Sequence, residues 1–155
     1  LHVIPTLSGP YGGPAQATIQ LCRELKNQAV EVAIATTDIA SGKKNYVLDS
    51  VPVYSFPREF NSFLPAQLAF SIQMNLWCKS RLKDFQLLHV HSLFSYPSTI
   101  ACRYAGKYKI PYILTPEGML SRECLKRSAL KKKFYISLFE RYNLTNASAI
   151  HFICE

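Results

Sequence analysis

LHVIPTLSGPYGGPAQA, residues 1–17, passes from an apolar strand through a Gly/Pro loop into the start of a helix. Leu1, Val3 and Ile4 are strand formers, and Ser8, Gly9, Pro10, Gly12, Gly13 and Pro14 interrupt them. Pro14 suits a first helical position, because its missing N–H would have no intrahelical partner there. A helix that starts at a strand end leaves several backbone N–H groups free. Glycines let a phosphate approach those groups, and the helix dipole favours the anion. The loop is not G-x-G-x-x-G and lacks the lysine of a P-loop. Two readings therefore stand side by side: a tight turn without a ligand, and a phosphate cradle.

The same alternation continues along the chain. Ala15, Ile19, Cys22 and Leu25 recur at helical spacing, which predicts a helix from about Ala15 to Asn27. Val30–Thr36 reads as a second strand, 38–50 as a polar surface loop, and Val51–Phe56 as a third strand. Pro65 is expected to open a long helix reaching about Lys83, with both of its apolar stripes buried. Phe85–His91 is a fourth strand, and a helix follows Pro97 and stops near Gly106. Pro111–Thr115 is a fifth strand. A basic segment and a helix to about Asn143 come next, and Ala149–Cys154 is a sixth strand. Continuously apolar strands alternating with helices predict parallel strands buried between two helical layers. The expectation is a three-layer, doubly wound α/β domain over residues 1–155. Its first strand should be central, flanked by the second and fourth, and ligands should lie at the strands' carboxyl ends.

Bulk properties narrow the class. The chain has 155 residues, 48% of them hydrophobic, which is enough for a substantial core. No apolar run approaches the roughly 20 residues of a membrane span. The start is strand-like and lacks the basic region that opens a signal peptide, so none is expected. It also lacks a Met, which fits a trimmed start. Five dispersed cysteines show no C-x-x-C pair, which predicts reduced thiols in a cytoplasmic protein rather than zinc or a thioredoxin motif. The net charge of +8 favours an anionic partner.

Three rim segments gather the candidate residues: 8–14, 91–96 and 115–120. They offer Tyr11, Ser92, Gly118 and Met119 as cleft-rim or acceptor-binding positions. His89 and His91 face one side of their strand. Two histidines could hold a metal only with further ligands, none of which the sequence places, so no metal or cofactor is expected. His91, nearer the carboxyl end, is the candidate for substrate contact. Glu117, between Pro116 and Gly118, could accept from a sugar hydroxyl or act as a base; its bland alternative is a solvated or capping carboxylate. Residues 122–133 carry six basic side chains (Arg122, Lys126, Arg127, Lys131, Lys132, Lys133) against one acid. They fit an anionic membrane surface, a phosphate-bearing acceptor, nucleic acid or an ordinary solvated helix face. No nucleic-acid module accompanies them.

Several segments in order resemble the first half of a GT-B glycosyltransferase of the GT4 type. They are the opening strand with GGPAQATIQLCREL, then VEVAIATT, then LLHVHSLFSYPSTIACRYAGKYKIPYILTPEGML, and finally SAIHFICE. The resemblance implies two Rossmann-like domains about a cleft, this chain being the acceptor-side one. The donor-binding domain, with the main donor contacts, would lie outside it. It further implies transfer of a sugar from a nucleotide-sugar to a glycan or lipid-linked acceptor, with retention and without a metal. The setting would be polysaccharide biosynthesis at the inner face of the cytoplasmic membrane. Carried over, Gly12 and Gly13 would lie beside the donor diphosphate and His91 at the cleft rim. Glu117 stands where many members carry the His of a P-H-G loop, so a histidine-like role there does not transfer. The other expectations open at this stage are a non-catalytic Rossmann-like domain that binds a phosphate ligand and, less favoured, a nucleic-acid-binding module.

Overall fold

The apolar segments pair into one sheet in a computed structural model that describes residues 1–7, 12–37, 45–59 and 64–152. Its strands are β1 (His2–Ile4), β2 (Ile34–Thr37), β3 (Asn45–Leu48), β4 (Val51–Phe56), β5 (Leu88–His91), β6 (Tyr112–Thr115) and β7 (Ala149–Ile150). The helices are α1 (Gly12–Asn27), α2 (Ile72–Arg81), α3 (Tyr96–Tyr108), α4 (Arg122–Lys126), α5 (Ala129–Tyr135) and α6 (Arg141–Thr145). A π-helical turn, Ile136–Glu140, joins α5 directly to α6.

The strand order is β3-β4-β2-β1-β5-β6-β7. Every neighbouring pair is parallel except β3–β4. β1 is central, with β2 and β5 beside it, as the alternation predicted. Side chains alternate across the sheet and sort into two cores. On one face, Val3, Ala35, Val90 and Leu114 pack with Met74 and Cys78 of α2 and with Ala101, Cys102 and Ala105 of α3. On the other, Ile4, Ile34, Val51 and Val53 pack with Ala15 and Cys22 of α1. Helices thus cover both faces, in a doubly wound α/β arrangement. Each fully buried aliphatic side chain contributes about 1.5–3 kcal/mol. Cys22, Cys78 and Cys102 are free and buried. Burial pushes the thiols of Cys22 and Cys78 up to about 12, so they serve as small apolar side chains.

Four expectations need correction. The polar loop ends in a strand: Asn45–Leu48 pairs antiparallel with β4 across a two-residue turn. Asp49 and Ser50 both take positive φ there, 47° and 67°, which matches the twist of a hairpin. Pro65 does not open a long helix. A short 3-10 turn, Ala66–Leu68, is broken by Ala69 in the left-handed region at φ 54°. Ser71 then caps α2 by accepting from the Met74 N–H. Only one of the two stripes is buried, since Ile72 and Leu76 are exposed. Finally, the last strand pairs over Ala149–Ile150 alone within the described residues.

Candidate functional site

Two neighbouring parallel strands bring the histidines together. On β5, His89 and His91 alternate with Val90 and face the side opposite the α3 core. On β1, His2 lies in register with His89, so its ring joins theirs. His2 Nδ1 and His91 Nε2 are 3.1 Å apart. His91 Nδ1 lies 3.1 Å from Glu117 Oε1, and both side chains are 6% exposed. A carboxylate only accepts, so His91 Nδ1–H donates to Glu117. With His91 neutral, its Nε2 accepts and His2 Nδ1–H donates to it. His89 Nε2 pairs with Thr115 Oγ1 at 2.8 Å, and the same hydroxyl meets His151 Nδ1 at 3.3 Å. These bonds form two chains, His2–His91–Glu117 and His89–Thr115–His151, which meet where the His89 and His91 rings lie together. Burial, reinforced by the neighbouring imidazoles, lowers His2 to about 2 and His89 to about 3, which keeps both rings neutral.

His2 is the third imidazole that the sequence did not place. One ring nitrogen from each of His2, His89 and His91 lies within 4.8 Å of the others. The rings nevertheless stack. His89 and His91 have centroids 4.3 Å apart at 30°, and His2 and His91 5.4 Å apart at 20°. The third pair, His2 and His89, is tilted by 47° with centroids 4.9 Å apart.

The loops after β5 and β6 carry unusual backbone. Ser92, Phe94 and Glu117 take positive φ of 70°, 54° and 53°. For residues with a Cβ, this costs about 1–2 kcal/mol each. Surrounding bonds hold them there. The Ser92 N–H donates to the Thr115 carbonyl at 2.9 Å. The Phe94 N–H donates to Glu140 Oε1 at 2.6 Å. Glu140 is fully buried in the π-helical turn and also accepts from Asn143 Nδ2 at 2.8 Å. Burial raises its pKa. Non-glycine residues in this region collect at functional sites.

These loops border a cavity of about 380 Å³, within the usual range for small-molecule sites. Pro14 and Ala15 of α1 line it, as do Leu93, Phe94 and Met119. Ser92, Arg58, Glu117 and Lys132 supply its polar groups. The cavity opens at the carboxyl ends of β1, β5 and β6, where a doubly wound sheet binds ligands. Glu117 is the carboxylate at its wall. His91 stands behind Glu117, 4% exposed, rather than at the rim itself. Ser92 and Met119 line the cavity. Gly118, at φ 72°, turns the chain beside it. Gly13 is the second residue of α1, and a Cβ there would meet nothing within 4 Å among the described residues. Tyr11 lies outside the described residues.

Two cavity cations escaped the sequence reading in different ways. Arg58 was unmarked. Its guanidinium donates to the carbonyls of Pro5, Thr37 and Ala66 at 2.9–3.3 Å and ties the ends of β1 and β2 to the 3-10 turn. Lys132 belongs to the basic run of residues 122–133, but it turns inward. Its Nζ donates to the Cys124 carbonyl, lies 3.3 Å from Cys124 Sγ and sits over the Phe94 ring at 5.4 Å. Arg122, Lys126, Arg127, Lys131 and Lys133 remain at the surface. A clustered run of lysines gave no signal of which one points inward; that depends on the turn between α4 and α5.

A family model described as a glycosyl transferase 4-like domain matches residues 12–155. No curated protein matches the chain at a significant level.

Proposed function

As the chain belongs to the glycosyl transferase 4-like family, we propose that it is the acceptor-side domain of a retaining sugar transferase. In this reading Glu117 meets the reacting sugars in the cavity beside β5 and β6. The donor is a nucleotide-sugar, and the acceptor is a glycan or a lipid-linked sugar. A second domain, outside the residues described, supplies the main donor contacts. The reaction builds a surface or extracellular polysaccharide and needs no metal. Gly12 and Gly13, at the start of α1, lie beside the donor diphosphate, whose charge the helix N-terminus and the cavity cations favour.

One observation carries the reading: a carboxylate at the cavity wall is clamped from behind by a buried imidazole at 3.1 Å. Glu117 accepts a hydrogen bond from the attacking hydroxyl, or takes its proton, while the bond from the sugar's anomeric carbon to the diphosphate breaks and the nucleoside diphosphate leaves with the electron pair. His91 is a positioning residue. It donates Nδ1–H to one carboxylate oxygen and leaves the other for the substrate.

The test is a screen of the full-length protein against nucleotide-sugars, followed by two variants. Glu117→Gln keeps the shape but cannot take a proton, and should lower kcat by about 100-fold or more, the range of general acid–base catalysis. Gly13→Val should raise the KM for the donor. Unchanged kinetics in both folded variants would overturn the reading.

A further inference from the structure

Leu130, Phe134 and Leu138 stand four residues apart along the continuous run 129–145, and they are 85%, 69% and 48% exposed. That spacing keeps them on one side of a helix. The opposite side of the same run enters the protein, where Glu140 and Asn143 are fully buried. The run is thus amphipathic, and an apolar row occupies its solvent side. Lys131 follows Leu130 and Lys133 precedes Phe134, so the two exposed lysines fall on opposite flanks of the row. Lys126 and Arg127, also exposed, lie just ahead of the run. Because Lys132 bonds to the Cys124 carbonyl, the outward charge belongs to its neighbours.

We propose that this ridge docks on the surface of an anionic lipid bilayer. Leu130, Phe134 and Leu138 enter the boundary between headgroups and acyl chains. Lys131 and Lys133 lay their stems along that boundary and bring their ammonium groups to lipid phosphates. Both halves of the pattern are needed for this choice. A nucleic acid would be drawn by the charges and its bases could stack on Phe134, but it offers no apolar layer for Leu130 and Leu138. The proposal is independent of the transferase reading: it rests on the outer side of residues 129–145, and its test measures binding rather than turnover.

The experiment is co-sedimentation of the full-length protein with two kinds of vesicle. One is phosphatidylcholine alone, and the other is phosphatidylcholine mixed with phosphatidylglycerol. Binding should require the anionic lipid and fall in about 1 M salt, where the Debye length is roughly 3 Å. Leu130→Ser/Phe134→Ser should weaken binding about 100-fold, given the transfer free energy of two large apolar side chains. Lys131→Glu/Lys133→Glu should abolish the preference for anionic vesicles. Both pairs are exposed, so circular dichroism should show the fold retained. Equal binding to the two vesicle types, or undiminished binding by either folded double variant, would overturn the proposal. So would tighter binding to RNA than to anionic vesicles at matched salt. A self-association lost in Leu130→Ser/Phe134→Ser, with no vesicle binding in the parent, would assign the ridge to a second copy instead and overturn it as well.

Discussion

His2 shows how much one side chain can set. It is 5% exposed, and its Nδ1 partner is His91 Nε2. Fixing that nitrogen as an acceptor leaves Nδ1 of His91 to carry the proton toward Glu117. His2→Phe keeps a flat ring but leaves a buried nitrogen without its donor, a loss of about 1–3 kcal/mol. The acid side gives a second signature. The folded value for His2 is about 2, against an ordinary 6.5. Below pH 6.5 the unfolded chain takes up a proton that the folded chain refuses. Stability is therefore complete above that pH and is lost as pH falls toward the folded value. The variant lacks this loss. Urea unfolding should show the gap between parent and His2→Phe narrowing by up to about 2 kcal/mol from about pH 7 to about pH 5. A constant gap would mean that His2 titrates normally. None of this was legible in the sequence. The H-x-H pair announced itself through strand alternation, whereas the third ring depends on the register of β1 against β5, 87 residues apart. Glu117 was legible as a carboxylate just past a strand, but its left-handed backbone and its partner were not.

At the scale of elements, strands with a run of apolar residues were readable, and those defined by a turn were not. β1, β4, β5 and β6 follow from composition alone. β3 was hidden because its hairpin turn uses Asp49 and Ser50 rather than a glycine. α2 was overextended because Ala69, an ordinary helix former, takes the left-handed conformation that ends the 3-10 turn. Glu140 is the element-scale device that the sequence concealed. A lone acid in a helical segment reads as solvated, yet its carboxylate joins the π-helical turn to the loop after β5. Glu140→Ala strips the Phe94 N–H of its acceptor and should cost about 3 kcal/mol, with faster hydrogen exchange at Phe94. Glu140→Gln should cost under about 1 kcal/mol. Its oxygen still accepts from Phe94, and a rotated Asn143 amide can offer its unpaired Oδ1 to the new donor. Equal losses in the two variants would show that packing, not hydrogen bonding, holds the loop.

For the whole molecule, the central place of β1 between β2 and β5 and the covering of both faces were readable from alternation, because period and composition report burial directly. The division of work between domains is a proposal, and it has a direct consequence. Residues 1–155 alone should form no glycoside product from any nucleotide-sugar, while the full-length protein should; robust turnover by the shorter chain would refute the division.

The central place of β1 also sets a clock. Val3 has β2 on one side soon after synthesis, but its other neighbour is β5, whose Val90 pairs with it. At about 5–20 residues per second of translation, β1 waits roughly 4–17 s for that edge to be closed. Loop closure of this length makes parallel pairing slow to nucleate. The histidine stack and the wall of the cavity can assemble only after that closure. For those seconds the nascent chain presents an unpaired, apolar strand edge, and its yield in the cell depends on how well that edge is shielded.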